Sequence, residues 1–207
     1  LVAEVIDNHL RTLETHEGEP AFMASLYTRL GELWGTQFER PDVAQTCYER
    51  ALELDPSYTP AAYALRKLAQ AMGDPLRVAQ YYAIEADSEA DPERKSQLYA
   101  RLAELRATEL DDLDGAIKAL RAALALAPGE IQIMHQLATY LSRRAATLGD
   151  EDAARDKRRV AELYYQIAQG VSSEDAEPYL EAALASMPSH DGALAMLEQI
   201  ANASVPD

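Results

Sequence analysis

The stretch from Leu26 to Pro56 reads LYTRLGELWGTQFERPDVAQTCYERALELDP, and a near-copy begins 72 residues later. The second copy runs from Leu98 to Pro128 and reads LYARLAELRATELDDLDGAIKALRAALALAP. Aligned without gaps, the two copies are identical at 13 of 31 positions. Self-similarity at a fixed period is the sequence signature of repeat architectures. We therefore expect the fold to be an array of similar units.

Each copy contains two amphipathic helices joined by a turn. In the first copy, apolar residues recur at intervals of three and four on both sides of Arg40-Pro41-Asp42, as expected of helices that each bury one face. Asp55-Pro56 ends the second helix, because the residue before a proline disfavours α geometry. The chain is rich in Ala and Leu and has only two Phe, a composition that favours helices over strands.

This helix–turn–helix resembles the tetratricopeptide repeat (TPR), a unit of about 34 residues. The resemblance depends on small residues at set positions, two large aromatic residues and a closing proline, which here are Leu30-Gly31, Trp34, Ala44, Tyr48, Ala51 and Pro56. Both copies depart from the family pattern by one additional residue in the turn. The resemblance implies an all-α fold, a right-handed α-solenoid of antiparallel helix pairs (a TPR-like superhelix).

The pattern is regular in the first two thirds of the chain and irregular afterwards. The interval from Pro128 to Pro188 is 60 residues, 12 fewer than two units require, and one helix at about 151–169 lies within it. We predict a leading helix at 1–19 (a truncated repeat or a cap), TPR-like repeats of about 36 residues at 20–149, an irregular or compressed repeat with a C-terminal capping helix at 150–203, and a tail at 204–207.

Charge and composition argue against several classes of partner. The net charge is −16, from 19 basic and 35 acidic residues, whereas a nucleic-acid-binding protein needs a basic surface. No apolar run is long enough to cross a bilayer. Cys47 is the only cysteine, so an internal disulfide is ruled out and cysteine usage indicates no oxidising compartment. We expect no nucleic acid and no membrane insertion, and cytoplasmic location is only the default.

The sequence contains no convincing catalytic or metal-binding motif. The histidines are scattered over different predicted elements: His9, His16, His135 and His190. Cys47 lies on the inner stripe of a helix without a histidine partner, which favours a packed small residue over a nucleophile. The run 111–115, DDLDG, resembles the start of a calcium loop, but Leu110 occupies the first ligand position. We predict no enzyme activity, no cofactor and no metal.

Acidic residues such as Glu85 and Glu151 are interpreted as parts of solvated helix faces. At the same time, Val78 and Glu85 occupy positions where the repeat usually has Ala. The helix pair that begins at Pro60 is therefore a weaker match to the repeat pattern than the two copies are.

The resemblance also implies a binding surface, because the first helix of each TPR unit lines a concave groove that takes a peptide or a partner helix. Carried over by position, the predicted groove residues are Glu32, Thr36, Tyr63, Lys67, Gln70, Gln97, Arg101, Glu104, His135, Thr139 and Arg143, with Ser25, Thr28, Thr108 and Ser142 at further groove positions. Tyr63 and Arg101 are the strongest candidates, because binding hot spots favour these residue types.

The function that these features predict is a non-catalytic protein–protein interaction scaffold with a protein or peptide partner. One alternative is a structural spacer or homo-oligomer that associates through the terminal helices at 1–15 and 190–203. Another is a regulatory repeat domain of a larger protein that contains an enzyme.

Overall fold

A computed structural model describes Asn8 and residues 19–203. Ten α-helices follow one another between residues 19 and 203: α1 (Pro20–Thr36), α2 (Pro41–Leu54), α3 (Thr59–Met72), α4 (Pro75–Ser88), α5 (Pro92–Thr108), α6 (Leu113–Leu126), α7 (Ile131–Ala145), α8 (Asp150–Gly170), α9 (Ser173–Ser186) and α10 (Asp191–Ala203). No strand occurs among these residues. The predicted all-α array of helix pairs is confirmed. The predicted leading helix and the tail lie outside the described residues.

The helices begin where local chemistry favours a start. Proline is the first residue of α1, α2, α4 and α5, a position that needs no N–H donor and suits the fixed φ of proline. The Asp74 side chain caps α4 by accepting a hydrogen bond from the Arg77 backbone N–H at 3.1 Å. Asp112 caps α6 in the same way, with the Gly115 N–H at 2.8 Å.

The lengthened turn of the two copies has the same geometry each time. Glu39 and Asp111, which are 72 residues apart, have φ values of 51° and 50°. Just after them, the N–H of residue 40 bonds the carbonyl of residue 34 at 2.9 Å, and the N–H of residue 112 bonds that of residue 106 at 2.8 Å. The α3–α4 turn uses Gly73 at φ 67° and a bond one residue shorter, from the Asp74 N–H to the Ala69 carbonyl. The additional residue therefore lengthens a left-handed helix-ending turn.

The chain divides into two compact units, one up to Leu105 (unit 1) and one from Arg106 (unit 2). In unit 1, Ala24, Ala44, Tyr48, Ala51, Ala61 and Leu65 form one buried cluster. A Cβ on Gly31 would lie 2.6 Å from Cε1 of Tyr48, so glycine is what lets the ring pack against α1. The small-residue seam predicted at Gly31, Ala44 and Ala51 is confirmed. Cys47 is buried beside Met23 and Leu30, as predicted for a packed residue.

Four residues are placed differently from what their position in the helical pattern suggests. Phe22, Met72 and Leu76 continue the apolar stripes of their helices but are exposed. Each lies near a helix end, in the first turn of α1, at the last residue of α3 and at the second residue of α4, where a stripe runs out of packing partners. Thr28 was assigned to the groove but is buried. Its hydroxyl is satisfied there because it donates to the Ala24 carbonyl at 2.9 Å within α1.

The short interval between Pro128 and Pro188 contains three helices, α7, α8 and α9, and the long α8 packs against both of its neighbours. Ala161 and Ala168 of α8 join Ala176, Leu180 and Ala183 of α9 and Ala193 of α10 in one buried cluster. A single helix with two packed faces accounts for the short interval between Pro128 and Pro188. The domain boundaries at 20–149 and 150–203 stay predictions.

Candidate protein-binding surface

The predicted groove residues lie on α1, α3, α5 and α7, the first helices of successive pairs. Ten of the eleven are exposed, and Thr139 is half-buried with its hydroxyl bonded to the His135 carbonyl at 2.9 Å. Within unit 1, α1 contacts α3. Neighbouring helices therefore carry the exposed Glu32 and Thr36 (on α1) and Tyr63 (on α3).

Tyr63 of α3 is the most prominent of these side chains. Half of its surface, 50%, is exposed. Its ring is not isolated, because the Arg66 guanidinium carbon lies 4.9 Å from the ring centroid and Lys67 Nζ lies 5.7 Å from it. Cation–π contacts of this kind hold an aromatic ring against a charged neighbour.

Arg66 is itself held in place by side chains of α4. Its guanidinium carbon lies 4.3 Å from the ring centroid of Tyr82 on α4, so that Tyr63 and Tyr82 both stack on the same cation. Arg66 also pairs with Glu85 through two contacts, Nε to Oε1 at 2.5 Å and Nη2 to Oε2 at 3.1 Å. Both side chains of this pair are only 9% exposed. Burial alone lowers the pKa of Arg66, but Glu85 outweighs it and the pKa is raised.

The interpretation of Glu85 as part of a solvated face is wrong. Helical phase correctly separates the apolar stripe of α4, but it contains no information about a partner on α3. One signal was present in the sequence, since Glu85 occupies a position where the repeat usually has Ala. A charge at a position that the fold buries requires a counter-charge, and Arg66 is that counter-charge.

Unit 2 contains a second arginine–carboxylate cluster. Arg144 of α7 contacts Asp156 of α8 through Nε and Nη2, both at 2.8 Å, and its Nη1 contacts Asp114 of α6 at 2.6 Å. Asp156 is 5% exposed and Asp114 is 81% exposed. The hydrogen bonds that Arg144 donates to Asp156 and Asp114 raise its pKa despite its partial burial. The cluster ties three helices together at the start of the irregular region.

In unit 2 the groove candidates of α7 have aromatic neighbours. His135 makes an edge-on contact with Tyr164 at a centroid distance of 5.9 Å, and the Arg143 guanidinium carbon lies 6.0 Å from the Tyr140 ring. His190 is engaged elsewhere, because its Nδ1 accepts a hydrogen bond from the Ala193 N–H at the start of α10. His9 and His16 lie outside the described residues.

Two of the three carboxylates of the calcium-like run are engaged, Asp112 by the Gly115 N–H and Asp114 by Arg144. Across residues 19–203 and Asn8, no group of three or more His, Cys, Asp or Glu side chains is arranged to hold a metal ion. None of the described helices is long and apolar enough to cross a membrane.

No protein-family model and no curated protein matches the sequence. Solved structures similar in fold include one described as "Crystal structure of MamA protein", with 17% identity and a TM-score of 0.43 over 89% of this chain and 97% of that chain. Another is "Crystal structure of YrrB: a TPR protein with an unusual peptide-binding site", with 18% identity and a TM-score of 0.42 over 91% and 96% of the two chains. The repeat assignment depends on the helix pairs and the Gly31 seam described above, which are those that the TPR resemblance predicts.

Proposed function

We propose that this protein is a non-catalytic interaction scaffold that binds a peptide or a partner helix on the exposed sides of the first helices of its pairs. The observation that supports this most strongly is Tyr63, a half-exposed aromatic side chain held by a buried ion pair. The proposed binding residues are, in unit 1, Glu32, Thr36, Tyr63, Lys67, Gln70, Gln97, Arg101 and Glu104 and, in unit 2, His135, Thr139 and Arg143.

The physical argument is one of preorganisation. Ordering a mobile side chain at an interface costs free energy, so a ring that is already held loses less on binding. Tyr63 stacks on Arg66, and Glu85 holds Arg66 through two hydrogen bonds. Tyr is also among the residue types that carry most binding energy at interfaces.

The surroundings of Tyr63 suit a peptide better than a small molecule. Lys67 and Gln70 are exposed on the same helix and provide a cation and an amide. Exposed Glu32 and Thr36 lie on α1, which packs against α3. A surface with one aromatic ring among mixed polar groups resembles the anchor-and-rim arrangement of protein interfaces.

The test is selection of peptides from a random display library against the purified protein, followed by titration of the selected peptides. Tyr63→Ala should weaken binding by about 2 kcal/mol, roughly thirtyfold, while Tyr63→Phe should keep most of the affinity. Leu76→Ala is the matched control, because Leu76 is 59% exposed on α4, the second helix of the same pair. Selected peptides that bind Tyr63→Ala as tightly as the natural protein, or a selection with no enrichment, would contradict the proposal.

Self-association through the terminal helices stays the alternative, and one observation favours it. Leu194 of α10 is a large apolar side chain left exposed. Light scattering decides the matter: a dimer that Leu194→Glu dissociates supports self-association, and a monomer at high concentration contradicts it.

A further inference from the structure

Unit 2 has a cleft that shares no residue with the predicted groove. Two cavities, of about 450 and 410 Å³, are both lined by Arg121 of α6 and Arg159 of α8. The first cavity is otherwise lined mainly by charged side chains, and the second by Leu124, Ala125, Pro128, Leu137 and Gln166. The two exposed arginines thus stand where a charged end of the cleft meets an apolar end.

The charges in this cleft do not cancel. Arg144 is paired with Asp114 and Asp156, and Arg155 is paired with Asp152 at 3.2 Å. All three carboxylates that line the cavity are therefore engaged by two arginines. Arg121 and Arg159 make no ion pair with any described residue. The four arginines that line the first cavity outnumber its three aspartates, so the cavity carries an excess positive charge in a chain whose net charge is −16.

The cleft is also held in shape. Arg144 of α7 bonds Asp114 of α6 and Asp156 of α8 at once, and these are the helices that carry Arg121 and Arg159. A guanidinium offers a planar fork of donors that matches a carboxylate, and it is more weakly hydrated than an ammonium. Two such groups on braced helices form a site for an anion that needs little rearrangement.

We propose that this cleft binds an acidic segment of a partner protein, with carboxylates on Arg121 and Arg159 and an apolar side chain against Leu124 and Pro128. A nucleic acid fits less well, because the end of the cleft lined by Leu124, Pro128 and Leu137 is apolar and offers no partner to a continuous row of phosphates. A peptide can space its carboxylates and place an apolar side chain at the uncharged end. The site lies on α6 and α8 and is independent of Tyr63.

The experiment uses the full chain and a short fluorescein-labelled peptide in which Glu and Leu alternate, followed by fluorescence anisotropy at low salt. Arg121→Glu combined with Arg159→Glu should weaken binding by about tenfold or more. The matched control is Lys118→Glu with Lys157→Glu, which changes two exposed cations of the same helices that line neither cavity. This control should change the affinity by less than about twofold, because rim charges contribute little.

Two further peptides separate the contributions of the charged end and the apolar end of the cleft to binding. Replacing Glu by Gln should abolish binding, and replacing Leu by Ser should weaken it. Arg121→Gln with Arg159→Gln repeats the test without introducing negative charge, and circular dichroism melts check that each variant folds. Tyr63→Ala should leave this binding unchanged, so failure here and failure of the proposed Tyr63 surface are distinguishable.

Three results would overturn the proposal. The first is a peptide that does not bind saturably. The second is equal weakening of binding by the two double charge reversals, which would indicate general attraction to positive charge rather than binding in the cleft. The third is a labelled oligothymidylate that binds more tightly than the peptide with the same dependence on Arg121 and Arg159, which assigns the cleft to nucleic acid.

Discussion

The Arg66–Glu85 pair of unit 1 and the Arg144–Asp156 pair of unit 2 join helices in the same way but differ in their access to water. In unit 1 both side chains are 9% exposed, and two tyrosine rings stack on the cation. In unit 2 Arg144 is 22% exposed and has a second partner in Asp114, which is itself mostly in solvent. The Arg66–Glu85 pair is therefore closed to water, and we call it the closed pair. The Arg144–Asp156 pair is open to water on the arginine side, and we call it the open pair.

The same contrast holds for the two glycines that face tyrosine rings. A Cβ on Gly31 would lie 2.6 Å from Cε1 of Tyr48, a buried ring, and one on Gly192 would lie 2.8 Å from Cζ of Tyr165, a half-buried ring. Each unit thus has a glycine packed against a tyrosine ring. The burial of the ring determines how much a substitution of the glycine should lower the free energy of unfolding.

The largest effect is expected from opening the closed pair. Arg66→Leu leaves Glu85 buried without a counter-charge and should lower the free energy of unfolding by about 3–5 kcal/mol. Urea denaturation followed by Trp34 fluorescence measures this within unit 1, because Trp34 is the only tryptophan. Arg66→Leu combined with Glu85→Leu should restore most of the loss, since no charge is then left buried. A single variant within about 1 kcal/mol of the natural protein would show that the pair is not closed.

The open pair should respond unequally to removal of its two partners. Arg144→Leu strands the buried Asp156 and should cost about 3 kcal/mol. Asp156→Asn leaves Arg144 with Asp114 and with water, so its cost should be about 1 kcal/mol. Denaturation followed by circular dichroism compares the two variants. Equal costs would contradict the distinction between the two units, because that is the behaviour expected of the closed pair.

The two glycines offer a smaller contrast. Gly31→Ala forces the buried Tyr48 ring to move and should cost about 1–3 kcal/mol, whereas Gly192→Ala meets the outer end of a half-buried ring and should cost less than about 1 kcal/mol. The second copy has Ala103 and Leu120 at the positions of Gly31 and Tyr48. Gly31→Ala with Tyr48→Leu should therefore be more stable than Gly31→Ala alone. A double variant that is less stable would show that the copies are not interchangeable there.

The smallest effect should be the same in both units. Glu39 and Asp111 adopt left-handed backbone geometry at equivalent turn positions, a conformation that costs a residue with a Cβ more than it costs glycine. Glu39→Gly and Asp111→Gly should each stabilise the protein by about 0.5 kcal/mol. Thermal melts of the two variants provide the measurement. Destabilisation by either one would mean that its side chain contributes more than its backbone strain costs.

The positions of the helices could be predicted closely from the sequence. The helix that Asp55-Pro56 is predicted to end does end at Leu54, and the helix predicted at about 151–169 spans Asp150–Gly170. These signals are local, because periodicity, proline and capping aspartates act within a few residues. Exposure of ten of the eleven predicted groove residues follows for the same reason, since helical phase determines which face points away from the apolar stripe.

Local signals in the sequence are enough to predict repeated helix pairs, the ends of most helices and the small-residue packing at Gly31. Contacts between helices, by contrast, determine that Glu85 and Asp156 are buried, that α8 packs on two sides, and that Arg121 and Arg159 share a cleft. The two sets of features differ in the distance along the chain over which their interactions act. Helix formation depends on neighbours a turn apart, whereas the burial of a charge is stable only when a partner from another helix reaches it.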